Sequence, residues 1–192
     1  METEVKKTKF QSPIPIIIQL RNLVFGKVRP DIYTFSIFVL NLTIWFTFLI
    51  WHIFSYFAIT SRSLIESEKG IHVEEIIMNR GTVLGFEPGD FLNRLQTFHA
   101  ISVICWLVIL IGLILLYRKK RKFFLFIIIS ALFYLGMNVF YLSFQYFKED
   151  TTMYDKITLL ILITSTVLHY SLMRGERNGG SLNFFGEADF EE

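Results

Sequence analysis

Apolar residues in this chain gather into four long runs, separated by polar stretches of very unequal length. The runs cover 33–59, 98–117, 123–147 and 157–173, and none contains Lys, Arg, Asp or Glu. A helix needs roughly 20 predominantly apolar residues to cross the hydrocarbon core of a bilayer, and each run meets or approaches that length. A soluble fold buries one such helix, but hardly four in 192 residues. The pattern therefore predicts an all-α integral membrane protein, a bundle of four transmembrane helices. The first run starts more than thirty residues into the chain and no small-residue cleavage site follows it, so it reads as a span and not as a signal peptide.

The polar stretches divide the remainder. Residues 1–32 form a leader, 60–97 a long loop, and 174–192 a Gly-rich and then acidic tail expected to be flexible. Within the leader, Ile16, Leu20, Leu23 and Val24 recur at helical spacing beside Gln19, Arg21 and Asn22, the pattern of a helix lying in the headgroup layer. The long loop mixes Ile71, Val73, Ile76, Ile77 and Met78 with acids, which predicts a short amphipathic helix near His72–Asn79 capping the outer rim of the bundle. Gly70 and Gly81 read as its breaks. Pro88 and Gly89 then form a turn, with Asp90 as N-cap of a second long helix beginning at about Phe91. Phe184, Phe185 and Phe190 in the tail form a candidate docking motif.

Charge orients this frame. Arg118, Lys119, Lys120, Arg121 and Lys122 form an all-basic turn between the second and third runs, and basic residues flanking spans remain in the cytoplasm. The leader and the start of the tail are also basic near the spans, whereas the other two loops are mixed or acidic. All five segments agree on cytoplasmic termini. The same basic turn can attract anionic lipid headgroups. With 53% hydrophobic, 17% aromatic and 19% charged residues, composition adds a Phe-, Ile- and Lys-rich bias associated with AT-rich bacterial genomes, hence an expected bacterial inner membrane. One cysteine, Cys105, leaves no intrachain disulfide.

Polar side chains inside the runs are the candidate chemistry, because an uncompensated polar group in lipid costs several kcal/mol. At about 100° per residue, Ser130, Tyr134, Asn138, Tyr141 and Gln145 share one face of the third run. Thr158, Ser165 and His169 share a face of the fourth, and Asn41, Trp45, His52 and Tyr56 of the first. Ser102, Cys105 and Gly112 make a small-residue side on the second, where a neighbouring helix can approach closely. Counting depth along antiparallel helices predicts an outer layer of His52, His99, Tyr141 and Gln145. An inner layer then holds Asn41, Tyr134, Asn138 and His169.

These layers read as hydrogen bonds fixing helix register, or as a ligand pocket near His52 and Tyr141. Haem would need axial ligands, and His52 with His99 are the only histidine pair at one depth; a quinone or lipid needs only a cleft. No cofactor or metal is predicted, and no catalytic constellation stands out. His72, Glu74 and Glu75 lack further ligands at metal-like spacing, and the basic turn, held between two spans, is no nucleic-acid site. With no charge in the spans, ion-coupled transport is not expected. The expected function is a non-catalytic membrane subunit that assembles with or regulates a larger complex, its partners being the bilayer and other membrane proteins. The alternative is a small redox, quinone- or lipid-binding membrane protein.

Overall fold

The computed structural model describes residues 14–26, 30–87 and 89–177, and all regular structure among them is helical. Four helices are long and apolar enough to cross a membrane: α2 (Ile32–Thr60), α5 (Asp90–Tyr117), α6 (Phe123–Gly136) with the π-helical segment Met137–Leu142 that continues it, and α8 (Met153–Arg177). They run alternately up and down. Helix α2 packs on α5, α5 packs on α6, and α8 lies against both α2 and α6. Shorter helices occupy the two ends: α1 (Ile14–Phe25) at the end with the basic turn, and α3 (Arg62–Lys69), α4 (Val73–Val83) and α7 (Phe144–Glu149) at the other. The former is called the turn end below and the latter the cap end.

The core follows from a mixed allocation of apolar surface. Trp106, Ile109, Leu113 and Leu116 of α5 are fully enclosed with Phe123, Ile127 and Ala131 of α6, Leu142 of the π segment and Leu162 of α8. The Phe48 ring stacks on Trp106 at 4.5 Å. Outward faces are equally apolar: Phe46, Trp51, Phe54, Ile104, Ile129, Leu160 and Leu168 are all exposed. Less than half of each long helix is buried inside the bundle. Gly112 sets the closest approach of α5 and α6, since a Cβ there would stand 2.6 Å from Ile127 Cγ1 and 3.2 Å from its backbone nitrogen.

Several local expectations change. The third apolar run is not one continuous α-helix. It passes into a π turn after Gly136 and breaks at Ser143, which takes φ 113°, before restarting as α7. Glycine prefers that backbone region, so Ser143 is strained, and its side chain offsets part of the cost by accepting a hydrogen bond from the Tyr146 N–H. Gly81 is no break. It lies inside α4, buried, where a Cβ would meet the Phe91 Cβ at 2.5 Å, so its missing side chain lets α4 lie directly on α5. Asp90 is not the N-cap of α5. Gly89 holds that position, and the Asp90 carboxylate accepts a 2.8 Å bond from Arg94 Nε one turn on. Helix α3 had no counterpart among the expected elements; Gly70 does end it, in the left-handed conformation. The fourth helix begins at Met153, one turn before the apolar run, and continues to Arg177. The tail motif of Phe184, Phe185 and Phe190 lies outside the described residues.

Candidate functional site

The polar side chains of the spans converge into clusters at separate heights. Nearest the cap end, His52 on α2 is buried beneath Phe48 and Phe98, and its Nδ1 stands 2.8 Å from Nδ1 of His99 on α5. Its other ring nitrogen, Nε2, lies 3.2 Å from the Tyr134 hydroxyl on α6. Two facing Nδ1 atoms share one proton, so one ring must be the δ-tautomer and the other not. If His52 carries it, Nδ1–H donates to His99 and the Tyr134 O–H donates to His52 Nε2. If His99 carries it, the chain of donors reverses and Tyr134 accepts from His52 Nε2–H. Thr151 in the connection to α8 donates to Asn138 Oδ1 at 3.5 Å. Both arrangements satisfy the two ring nitrogens of His52 and Nδ1 of His99, so α2, α5 and α6 are tied together.

Lower in the bundle, Trp45 Nε1 donates to the Trp106 carbonyl at 2.7 Å, and Ser165 on α8 donates to Asn41 Oδ1 at 2.8 Å. The Asn41 Nδ2 and Trp106 Nε1 donors are buried and meet no acceptor among the described residues. Nearest the turn end, the His169 ring lies 5.7 Å from Tyr33 and 5.6 Å from Phe123, enclosed by aromatic rings.

The predicted layers are thus partly redrawn. His52 and His99 do share a height, but their third member is Tyr134, which the depth comparison had placed with Asn41. The error comes from treating helices as untilted rods of uniform rise. Asn41 pairs with Ser165, and His169 sits about one turn further towards the turn end. Asn138 is buried with Tyr134, whereas Gln145 is exposed and donates to Glu149 instead. The π turn is responsible: its wider winding and the break at Ser143 carry Tyr141 and Gln145 out of the 100° register. Tyr141 is half-exposed at the wall of an apolar groove. The pocket expected near His52 and Tyr141 is therefore two separate places, one filled and one open.

The filled one does not suit a metal held between the imidazoles. With metal–nitrogen bonds of about 2.0–2.1 Å, two imidazole nitrogens stand about 4 Å apart on opposite sides of a metal and about 3.3 Å apart in a tetrahedral site, and here they face each other at the hydrogen-bond distance of 2.8 Å. The open one is a groove of about 540 Å³ on the outer face of α6 and the π segment, lined by Leu132, Phe133, Gly136, Met137, Phe140 and Tyr141. At Gly136 nothing lies within 4 Å of where a Cβ would stand, so the groove floor is bare backbone. A second hollow, of about 440 Å³, lies between α3 and α4 beside Glu66, His72 and Glu75, where the His72 ring is already paired with Glu66.

Arg94 is the residue that sequence reading missed. It sits one turn into α5, donates to the Tyr141 carbonyl at 3.2 Å, and lies over the Tyr141 and Phe86 rings at 5.4 and 5.2 Å. Carbonyls near the end of an interrupted helix lack intrahelical donors, and Arg94 supplies one. Its isolation as a lone cation just before an apolar run was the available signal. At the cap end, Arg80 of α4 grips Glu149 at 2.8 Å and Asp150 at 3.0 Å. Hydrogen bonds to Asp150 and Glu149 raise the Arg80 pKa, and the Arg80 bond together with Gln145 lowers that of Glu149. Comparisons with protein families, with curated proteins and with solved structures find no match to this chain.

Proposed function

We propose that this chain is a non-catalytic integral membrane subunit, threaded with both termini in the cytoplasm, that assembles with another membrane protein through the groove on α6. Apolar residues on the outward faces of all four long helices favour lipid over water as their surroundings. The interior supports a structural role, because its polar groups bond to one another across helices. Such bonds contribute on average about 0.6 kcal/mol each in a bilayer, enough to fix register.

The observation that carries the reading is the notch at Gly136. Lipid-facing helix surface is normally covered by side chains, whereas here half-buried backbone with open space before it is flanked by Phe133 and by Phe140, which is 88% exposed. Small residues at such depth let a second helix approach closely, and large aromatics beside them supply contact area. A photo-crosslinking residue at Phe140 in native membranes should yield an adduct with a different membrane polypeptide, while the same residue at Phe46 on α2 yields lipid only. Gly136→Leu should abolish the Phe140 adduct without unfolding the chain. Lipid adducts alone from both positions, or only a second copy of this chain, would overturn the reading.

The groove also favours a second reading, a small apolar ligand such as a quinone or lipid. Its volume of about 540 Å³ falls within the range of roughly 300–1,000 Å³ usual for small-molecule sites, and Tyr141 offers a hydroxyl at its wall. His52, buried elsewhere, has no part in that version. Such a ligand would co-purify with the protein and be lost on Tyr141→Phe or Gly136→Leu.

A further inference from the structure

The five cations of the basic turn do different jobs. Lys119 takes a left-handed conformation, φ 53°, and its ammonium pairs with Asp31 just before α2. Arg121 Nη2 reaches the Met173 carbonyl on α8 at 3.4 Å. Those two side chains tie the turn to the neighbouring spans. Arg118, Lys120 and Lys122 are exposed and meet no carboxylate among the described residues. Beside them comes α1, whose Phe25 ring packs edge-on against Tyr117 at 5.2 Å and Phe38 at 6.1 Å. That contact brings Gly26 against the Arg118 side chain and leaves Arg21, one turn back, exposed next to Ile18.

We infer that Arg21, Arg118, Lys120 and Lys122 form a binding site for the phosphate of an anionic phospholipid. The inference rests on membrane insertion but not on the partner proposed for the groove. Arg118, Lys120 and Lys122, without a carboxylate partner among the described residues, lie where two apolar helices end, at Tyr117 and Phe123, which is the height of the headgroup phosphates, and α1 with Arg21 packs against the same end. An exposed apolar residue, Ile18, accompanies them on α1, as expected of a helix lying at the acyl boundary. Asp31, just before α2, is already occupied by Lys119 and by the Thr34 N–H and O–H, so it does not compete for these cations. A lipid phosphate held there would join α1 to the α5–α6 turn.

The full chain is placed in bilayers of phosphatidylcholine with and without phosphatidylglycerol, and the lipids retained on extraction are counted by native mass spectrometry. Phosphatidylglycerol should be retained in preference, and Lys120→Gln and Lys122→Gln should each weaken that preference about fivefold. Arg21→Gln should do the same, and because it lies on α1 and not in the inter-span turn, its effect shows that α1 contributes to the site. Lys119→Gln and Arg121→Gln should lower the melting temperature while leaving most of the preference. Equal retention of the two lipids would overturn the site. An equal loss in all five variants would also do so, because it marks diffuse attraction. Displacement of the lipid by inorganic phosphate would show a free-anion site instead. Loss of the groove's crosslink with lipid retention intact would sink only the partner reading.

Discussion

Gly112 is the position where one methyl group decides how two spans meet. Gly112→Ala would push a Cβ into Ile127 Cγ1, an atom too near its own backbone to swing aside. Overpacking of this kind typically costs about 1–3 kcal/mol, to be read from unfolding in detergent, and Ile127→Ala added to it should recover part of the loss although it is destabilising alone. The His52–His99 bond gives a second residue-scale test. Replacing His52 with Phe keeps a ring there but leaves His99 Nδ1 and the Tyr134 hydroxyl without this partner. An unsatisfied buried polar group costs about 1–3 kcal/mol. The coupling measured by a cycle of His52→Phe and His99→Phe should therefore be positive, and a value near zero would show that the rings are held by packing alone.

At the scale of elements, the π turn separates what pattern could predict from what it could not. Periodicity located the long helices within a few residues, because length and apolarity alone mark helices able to cross a membrane. It placed Tyr134 and Asn138 inward correctly, and it failed for Gln145, since hydropathy is blind to a change of winding inside an apolar run. Cross-helix pairing was legible only as a shared face: the sequence shows that His52 points inward, but which helix supplies its partner depends on tilt. Arg94 holds the irregular segment by bonding the Tyr141 carbonyl. Arg94→Met keeps an unbranched side chain without the donors, and hydrogen exchange of the amides in 137–142 should then speed up while those of α2 stay unchanged. Uniform acceleration throughout the bundle would show that Arg94 supports global stability and not this segment.

For the molecule as a whole, ionic contacts stand at opposite ends of an uncharged interior, and pH should act on both ends. At the turn end, partial burial pushes the Asp31 carboxyl upward, but bonds from Lys119 and Thr34 prevail and hold it well below the usual carboxylate range. At the cap end, Arg80 does the same to Glu149. A carboxyl whose pKa is lower folded than unfolded stabilises the fold above its unfolded value and loses that contribution as pH falls through the folded one. Stability should therefore be flat near neutrality and begin to decline below about pH 4, the ordinary carboxylate range. These groups are largely exposed and screened, so the decline is modest. Asp31→Asn should remove the turn-end share of the acid limb and Arg80→Gln the cap-end share, and the double variant should melt almost independently of pH in that window. Because the contacts lie at opposite ends with no shared partner, the two effects should add. A double variant with the full acid sensitivity of the parent would place the responsible carboxyls elsewhere in the chain.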